Sequence, residues 1–199
     1  MCYQGGMITP DALDAATLRA RLRDRLAPPK GDGPAWASTA LVVGASSQGP
    51  AICFIHRAER HGDRWSGHMA LPGGRRDADD PDLAITARRE TYEEVGLRLP
   101  SPLGRLDDVG GPGRRRQVAA FVFCLDEQPD LAPDPREVQD ARWISLANLL
   151  DPQAAVHHTW SGLVGFPGIR HRDQVIWGLT HRIVTSFVES LDLRLPAPR

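Results

Sequence analysis

The stretch Arg89-Glu90-Thr91-Tyr92-Glu93-Glu94-Val95-Gly96-Leu97 constrains this chain more than any other. Residues 82–95 read as a helix, with Gly96 as a plausible C-cap. At about 100° per residue, Glu90, Glu93 and Glu94 fall within an arc of roughly 100°. Ala84, Ala87, Thr91 and Val95 lie beside that arc and can pack inward. Three acids thus share one stripe next to a core face. Like charges at i,i+3 and i,i+4 repel by about 0.2–0.5 kcal/mol per pair. Anions near a helix C-terminus also oppose the macrodipole, by roughly 0.3–1 kcal/mol each. No cation stands at ideal intrahelical spacing on the stripe. A bound cation would reverse both penalties, and clustered carboxylates suit a hard ion such as Mg2+ or Mn2+. Taken alone, the pattern also reads as a solvated acidic face paired with Arg88, Arg89 or Arg98.

Upstream of the helix stands Leu71-Pro72-Gly73-Gly74, followed by a loop holding Asp77, Asp79, Asp80 and Asp82. Two consecutive glycines let a backbone approach a ligand closely or adopt unusual φ values. A carbonyl at Gly74 could complete a metal shell, and an ordinary tight turn is the plain alternative.

The rest of the chain alternates helical and strand-like runs. Residues 11–26 read as a helix, with Leu13, Ala16, Leu18, Leu22 and Leu26 at near-helical spacing. Pro28, Pro29, Gly31, Gly33 and Pro34 break it. Strands are expected at 37–43, 51–55, 103–109, 117–125 and 141–144. Ser145 can cap a short helix ending near Asp151-Pro152, and a last long helix is expected over 174–191. This order predicts an α/β (α+β) sandwich.

No run approaches the roughly 20 apolar residues that a bilayer requires. Met1 to Pro10 lacks a basic region followed by an apolar one, so no secretory signal is expected. Lysine and arginine total 24 against 25 aspartates and glutamates. That balance argues against a protein that grips nucleic acid by charge alone. Three cysteines, Cys2, Cys53 and Cys124, form no CxxC pair, so neither a disulfide framework nor a structural zinc site is expected. Cys53 and Cys124 sit in apolar runs and read as buried, inert thiols, in keeping with a reducing cytoplasm.

Glycine loop and acidic helix together resemble the signature of the Nudix hydrolases, G-x5-E-x7-R-E-U-x-E-E-x-G-U, where U is bulky and aliphatic. Gly74, Arg89, Glu90, Glu93, Glu94, Gly96 and Leu97 match. The spacing from Gly74 to Arg89 is one residue longer than the pattern, an Asp-rich loop replaces the early Glu, and Thr91 replaces an aliphatic residue. The longer loop and Ser66-Gly67-His68-Met69-Ala70 resemble the branch of the family that cleaves coenzyme A. That branch's fuller upstream pattern is matched only in part by residues 57–68.

The resemblance implies a Nudix-type α/β/α sandwich with a mixed sheet between helices. Residues 1–34 would be an N-terminal extension with a helix, and 35–199 the hydrolase domain. It implies hydrolysis of a pyrophosphate bond in a nucleoside diphosphate derivative with Mg2+ or Mn2+. Coenzyme A or acyl-coenzyme A is the expected substrate. ADP-ribose, a dinucleotide or a damaged nucleoside triphosphate is the alternative, as is an inactive nucleotide-sensing module.

Glu90, Glu93, Glu94 and the Gly74 carbonyl are the candidate metal ligands, with Glu93 also able to position water. Arg89 is expected to orient a glutamate of the signature. Glu137, in Pro135-Arg136-Glu137-Val138, is the candidate general base, or an ordinary loop carboxylate. Asp77, Asp79 or Asp80 can replace the early Glu. Arg57, Arg60 and Gly73 are candidates for diphosphate contact, and Arg114, Arg115 and Arg116 for a 3′-phosphate. His157 or His158 could contact a base or diphosphate, and Trp65 could stack on adenine. A small nucleotide is the expected partner, with no nucleic acid and no membrane, and a homodimer is left open.

Overall fold

The computed structural model describes residues 14–33, 35–62, 65–110 and 117–198. Helix α1 is Ala15–Arg23, capped by the Asp14 carboxylate, which accepts from the Thr17 N–H. Strands β1 (Ala37–Gly44), β2 (Ala51–Arg57), β3 (Met69–Ala70) and β4 (Gly73–Arg75) follow, then α2 (Leu83–Val95). Next come β5 (Gly104–Arg105), β6 (Val109–Gly110), β7 (Gln117–Leu125), β8 (Val138–Ser145) and α3 (Leu146–Leu150). A 3₁₀ turn (Pro152–Ala154) leads to β9 (Ala155–Trp160), β10 (Leu163–His171), β11 (Gln174–Trp177) and α4 (Gly178–Ser190).

Strands β1 to β8 form one mixed sheet in which β1 and β7 run parallel and the other pairs antiparallel. Alternation along β1 divides the core. Ala40 and Val42 face α2, where Leu83, Ala87 and Val95 meet Cys53, Ile55, Phe121 and Phe123. Leu41 and Val43 face the opposite layer, built from α1, α3, α4 and a three-stranded sheet β11-β10-β9. Leu18 and Leu22 of α1 are fully buried in that second cluster, so the helix of the expected extension packs on the same core. The architecture is the expected α/β/α sandwich with a mixed sheet.

Helix α2, β1, β7 and the Ser145-capped α3 stand close to their expected places. Three expectations change. The strand expected at 103–109 reduces to the short β5 and β6, both paired with β7. The helix expected over 11–26 spans Ala15–Arg23 among the described residues. The helix expected over 174–191 begins only at Gly178. Gln174–Trp177 pairs with β10, Trp177 is extended at φ −146°, and Gly178 turns the chain at φ +63°. Val175 and Ile176, whose branched side chains suit a pleated surface, supply the strand. Cys53 and Cys124 are buried, and burial pushes the Cys53 thiol up to about 12. Among the described residues, no helix is long and apolar enough to cross a membrane.

Candidate active site

The site begins where two strands part. Strand β1 pairs with β2 only at one end, Val43 with Ile52 and Gly44 with Ala51. At its other end it pairs with β4, Ser38 with Gly74 and Thr39 with Gly73. Strand β2 meanwhile takes β3, so residues 69–75 fill the wedge between them. The Pro72 carbonyl closes the wedge by accepting from the Thr39 hydroxyl (2.7 Å) and the Ala40 N–H (2.8 Å).

Both glycines of the turn are required by close approach. A Cβ at Gly73 (φ +154°) would overlap the Ser38 carbonyl and Thr39. One at Gly74 would overlap the Glu90 carboxyl. Helix α2 can therefore lay its acids directly on the turn, and the Gly73 N–H donates to Glu94 Oε2 at 2.8 Å.

That contact sits deep. Glu94 is only 2% exposed, and burial pushes its carboxyl up to about 8, against the lowering effect of the Gly73 N–H. The charges of Glu90 and Glu137 raise it further, and Arg57 opposes them. Burial likewise raises Glu90, although Arg89 pulls it down. Since Glu137 acts on both, the loop before β8 brings a third acid to the same place. Carboxylates taken out of water beside one another favour the neutral form until a cation compensates them. Glu93 is different, with its side chain 53% exposed and bonded to Arg89.

Arg89 is the hub of this face. It donates to Asp80 (2.8 Å), Glu90 (2.9 Å), Glu93 (2.9 Å) and the Arg75 carbonyl (3.2 Å). The expectation that the stripe lacks an intrahelical cation is thus wrong. Arg89 sits four residues before Glu93 and meets it directly. Its expected role of orienting a glutamate holds for two of them.

Among the three candidates for the early Glu, Asp77, Asp79 and Asp80, Asp80 is the one turned inward. It is 6% exposed, accepts from Thr86 Oγ1 and the Asp77 N–H, and is held down at about 2 chiefly by the Arg89 guanidinium. Five residues separate it from Gly74, as they separate the early Glu from the Gly in the signature. Asp80 clamps the Arg89 guanidinium that also meets Glu90 and Glu93. Sequence reasoning named it only as one of three candidates. The six-residue offset from Gly74 was the available signal, and the extra residue before Arg89 masked it.

The arginine candidates divide. Arg57, at the end of β2, acts on Glu94 through its charge. Arg60 donates to the Arg136 carbonyl (2.5 Å) and to Glu137 (3.3 Å), so it stands beside the candidate base. Gly73 gives its N–H to Glu94, so that donor is engaged within the site. Arg114, Arg115 and Arg116 lie outside the described residues. His157 is exposed on β9, while His158 and Trp65 join an aromatic group with Trp160 and Trp177.

The donor set suits a hard divalent ion, with two desolvated carboxylates, a third acid and a backbone turn stripped of side chains. Among the described residues, no three carboxylate, imidazole or thiol groups are already gathered around one point. Arg89 draws Glu90 and Glu93 to itself, and Gly73 holds Glu94. The fit lies in the chemistry of the donors, without a preformed cage.

Comparison with known proteins finds similarity along most of the chain. The NUDIX domain profile matches residues 35–161. The mitochondrial coenzyme A diphosphatase NUDT8 of Mus musculus is 34% identical over 191 residues, covering 92% of this chain and 84% of that protein. An uncharacterized protein of Schizosaccharomyces pombe, C14C4.10c, is 42% identical over 113 residues, 52% of this chain, and the match spans only 34% of its length. Among solved structures, a MutT/nudix family protein from Enterococcus faecalis superposes with a TM-score of 0.55, covering 91% of this chain and 75% of that one at 15% identity.

Proposed function

The chain belongs to the Nudix hydrolase family, and from that membership we propose that it hydrolyses the pyrophosphate bond of coenzyme A or an acyl-coenzyme A. The products would be 3′,5′-ADP and 4′-phosphopantetheine. The observation that carries the reading is the desolvated Glu94, set against the Gly73-Gly74 turn with Glu90 and Glu137 facing it. The substrate is supported by similarity to a coenzyme A diphosphatase along 92% of the chain. The lengthened stretch between Gly74 and Arg89 and Ser66-Gly67-His68 point the same way.

Glu90, Glu94 and the Gly74 carbonyl would hold the divalent ion, Mg2+ or Mn2+, with Glu93 as a further ligand. Such an ion, when bound, offsets the charge of the diphosphate and lowers the barrier to attack by water. Glu137 accepts the proton of the attacking water, at the edge where Arg60 holds its carboxylate. The water oxygen ends on one phosphorus, and the bridging oxygen leaves with the other. Arg57 and Arg60 attract the diphosphate, and Arg89, clamped by Asp80, keeps Glu90 and Glu93 in place. Arg114, Arg115 and Arg116 are assigned to the 3′-phosphate. Reduced, buried thiols agree with a reducing compartment, for which we take the cytoplasm.

The test is kcat/KM for coenzyme A, dephospho-coenzyme A, ADP-ribose and an oxidised dGTP, each with Mg2+ and with Mn2+. Coenzyme A is expected to lead. A tenfold advantage for ADP-ribose or the triphosphate, about 1.4 kcal/mol in the transition state, would overturn the substrate. Arg60→Ala should raise KM for the coenzyme A compounds.

A further inference from the structure

Beside the acids lies a group of rings that the hydrolysis does not use. His68 precedes β3, and its carbonyl accepts from the N–H of Arg57, the residue whose charge reaches Glu94. The His68 ring lies 5.1 Å from Trp177, at the end of β11, and 5.9 Å from Trp65. Trp65 lies parallel to Trp160 of β9, their planes 4° apart and their centroids 5.9 Å apart. Trp160 in turn meets Trp177 at 5.4 Å.

Two polymer segments are needed to build this surface. The loop from Ala58 to His68 supplies Trp65 and His68, and its other end is fastened to the site through Arg60 and Glu137. The small sheet β9–β11 supplies Trp160 and Trp177. Trp177 is 7% exposed and acts as a floor, whereas Trp65 is 49% exposed and forms a wall. A half-exposed indole lying parallel to a second one thus stands at the flank of a charged site.

We infer that this indole platform seats the purine base of the substrate, with Trp65 as the specificity-determining ring. The inference rests on the reading above that the site cleaves a nucleotide-linked pyrophosphate. Flat indole faces match a planar heteroaromatic ring, which gains both contact area and orientation from stacking. The loop's two ends then divide the substrate. Arg60 and Arg57 take the diphosphate next to Glu94, and Trp65 takes the base.

The experiment is calorimetric titration of the intact protein with AMP, ribose 5-phosphate and 4′-phosphopantetheine, comparing wild type, Trp65→Ala and Trp65→Phe. AMP and ribose 5-phosphate differ in the base, so their comparison isolates the stack. The platform requires that wild type bind AMP more tightly than ribose 5-phosphate. Trp65→Ala should weaken AMP about tenfold, the scale of one base on one aromatic ring. Trp65→Phe should recover most of that affinity, and 4′-phosphopantetheine should be unmoved. Equal affinity for AMP and ribose 5-phosphate in wild type overturns the inference. So does an unchanged AMP affinity in Trp65→Ala, or a loss confined to 4′-phosphopantetheine. Loss of all three ligands in both variants also overturns it, since it marks a loop whose ring is structural. Failure of wild type to hydrolyse coenzyme A while the AMP pattern holds would refute the proposed substrate and leave the base seat standing.

Discussion

Replacing Glu94 by Gln tests the buried acid directly, through stability as well as turnover. In the folded, metal-free protein this carboxyl is pushed up to about 8, against 4.5 for an ordinary glutamate. An acid raised on folding binds its proton more tightly in the native state. Stability is therefore greatest below the unfolded value and falls as pH rises through the window from 4.5 to about 8. Each pH unit inside the window costs about 1.4 kcal/mol, so the loss reaches about 3 kcal/mol at pH 7 and at most about 5 kcal/mol above pH 8. Glutamine keeps the oxygen that accepts from Gly73 and cannot ionise. Urea unfolding in EDTA at several pH values between 5 and 8.5 is the assay. Glu94→Gln and wild type should be similarly stable at pH 5, and the variant should gain progressively above it. Saturating Mn2+ should restore wild type at pH 8 and leave the variant almost unmoved. Parallel stability profiles for the two proteins in EDTA would refute the argument that Glu94 is destabilised by its burial.

The remaining predictions concern neighbouring parts of the site. Glu90→Gln and Glu94→Gln should each lower kcat by orders of magnitude while circular dichroism stays native, and full turnover by a folded Glu94→Gln protein would exclude it as a ligand. Asp80→Asn should free Arg89 from its clamp, lowering kcat about tenfold and weakening Mn2+ binding, as a Mn2+ titration of activity would show. Gly73→Ala should lower Tm by several degrees, because its Cβ meets the Ser38 carbonyl and overpacking of this kind costs about 1–3 kcal/mol. Cys53→Ala combined with Cys124→Ala should retain turnover with some loss of stability, and inactivity of a well-folded double variant would bring a thiol into the reaction.

What the sequence disclosed and what it hid follow from the range of the forces involved. The acidic helix was legible because cap, periodicity and like-charge crowding all lie within a few turns. Gly96 adopts φ +74° and Asp82 caps the start, as local chemistry requires. The glycine turn was legible as permissive backbone, although its purpose, the passage of α2 over β1 and β4, is a tertiary fact. Residues 174–177 were read as helix because Val175, Ile176 and Leu179 satisfy a helical period as readily as a strand followed by a helix, and no strand was assigned to 155–171. The tight turn at Ser161 and Gly162, both at positive φ, was the overlooked hairpin signal. One salt-bridge partner of Arg89 was hidden for another reason, whereas Glu93 stood in plain view four residues on. Asp80 lies nine residues away, where no single-helix rule reaches.

The parallel pairing of β1 with β7 has a consequence for how the molecule acquires its shape in time. Ala37 meets Val118 and Gly44 meets Leu125, so the centre of the sheet joins segments about eighty residues apart. Everything that forms the wedge and the acidic helix lies inside that closed loop. Folding must pay the closure entropy before the central pair returns any of it, which places the chain among slow, high-contact-order folders. During synthesis the chain through α2 emerges with one edge of β1 still open. Val42 and Leu41 then wait for a strand that has yet to be made, and a hydrophobic edge left waiting is where a folding chain is most exposed to association with its neighbours.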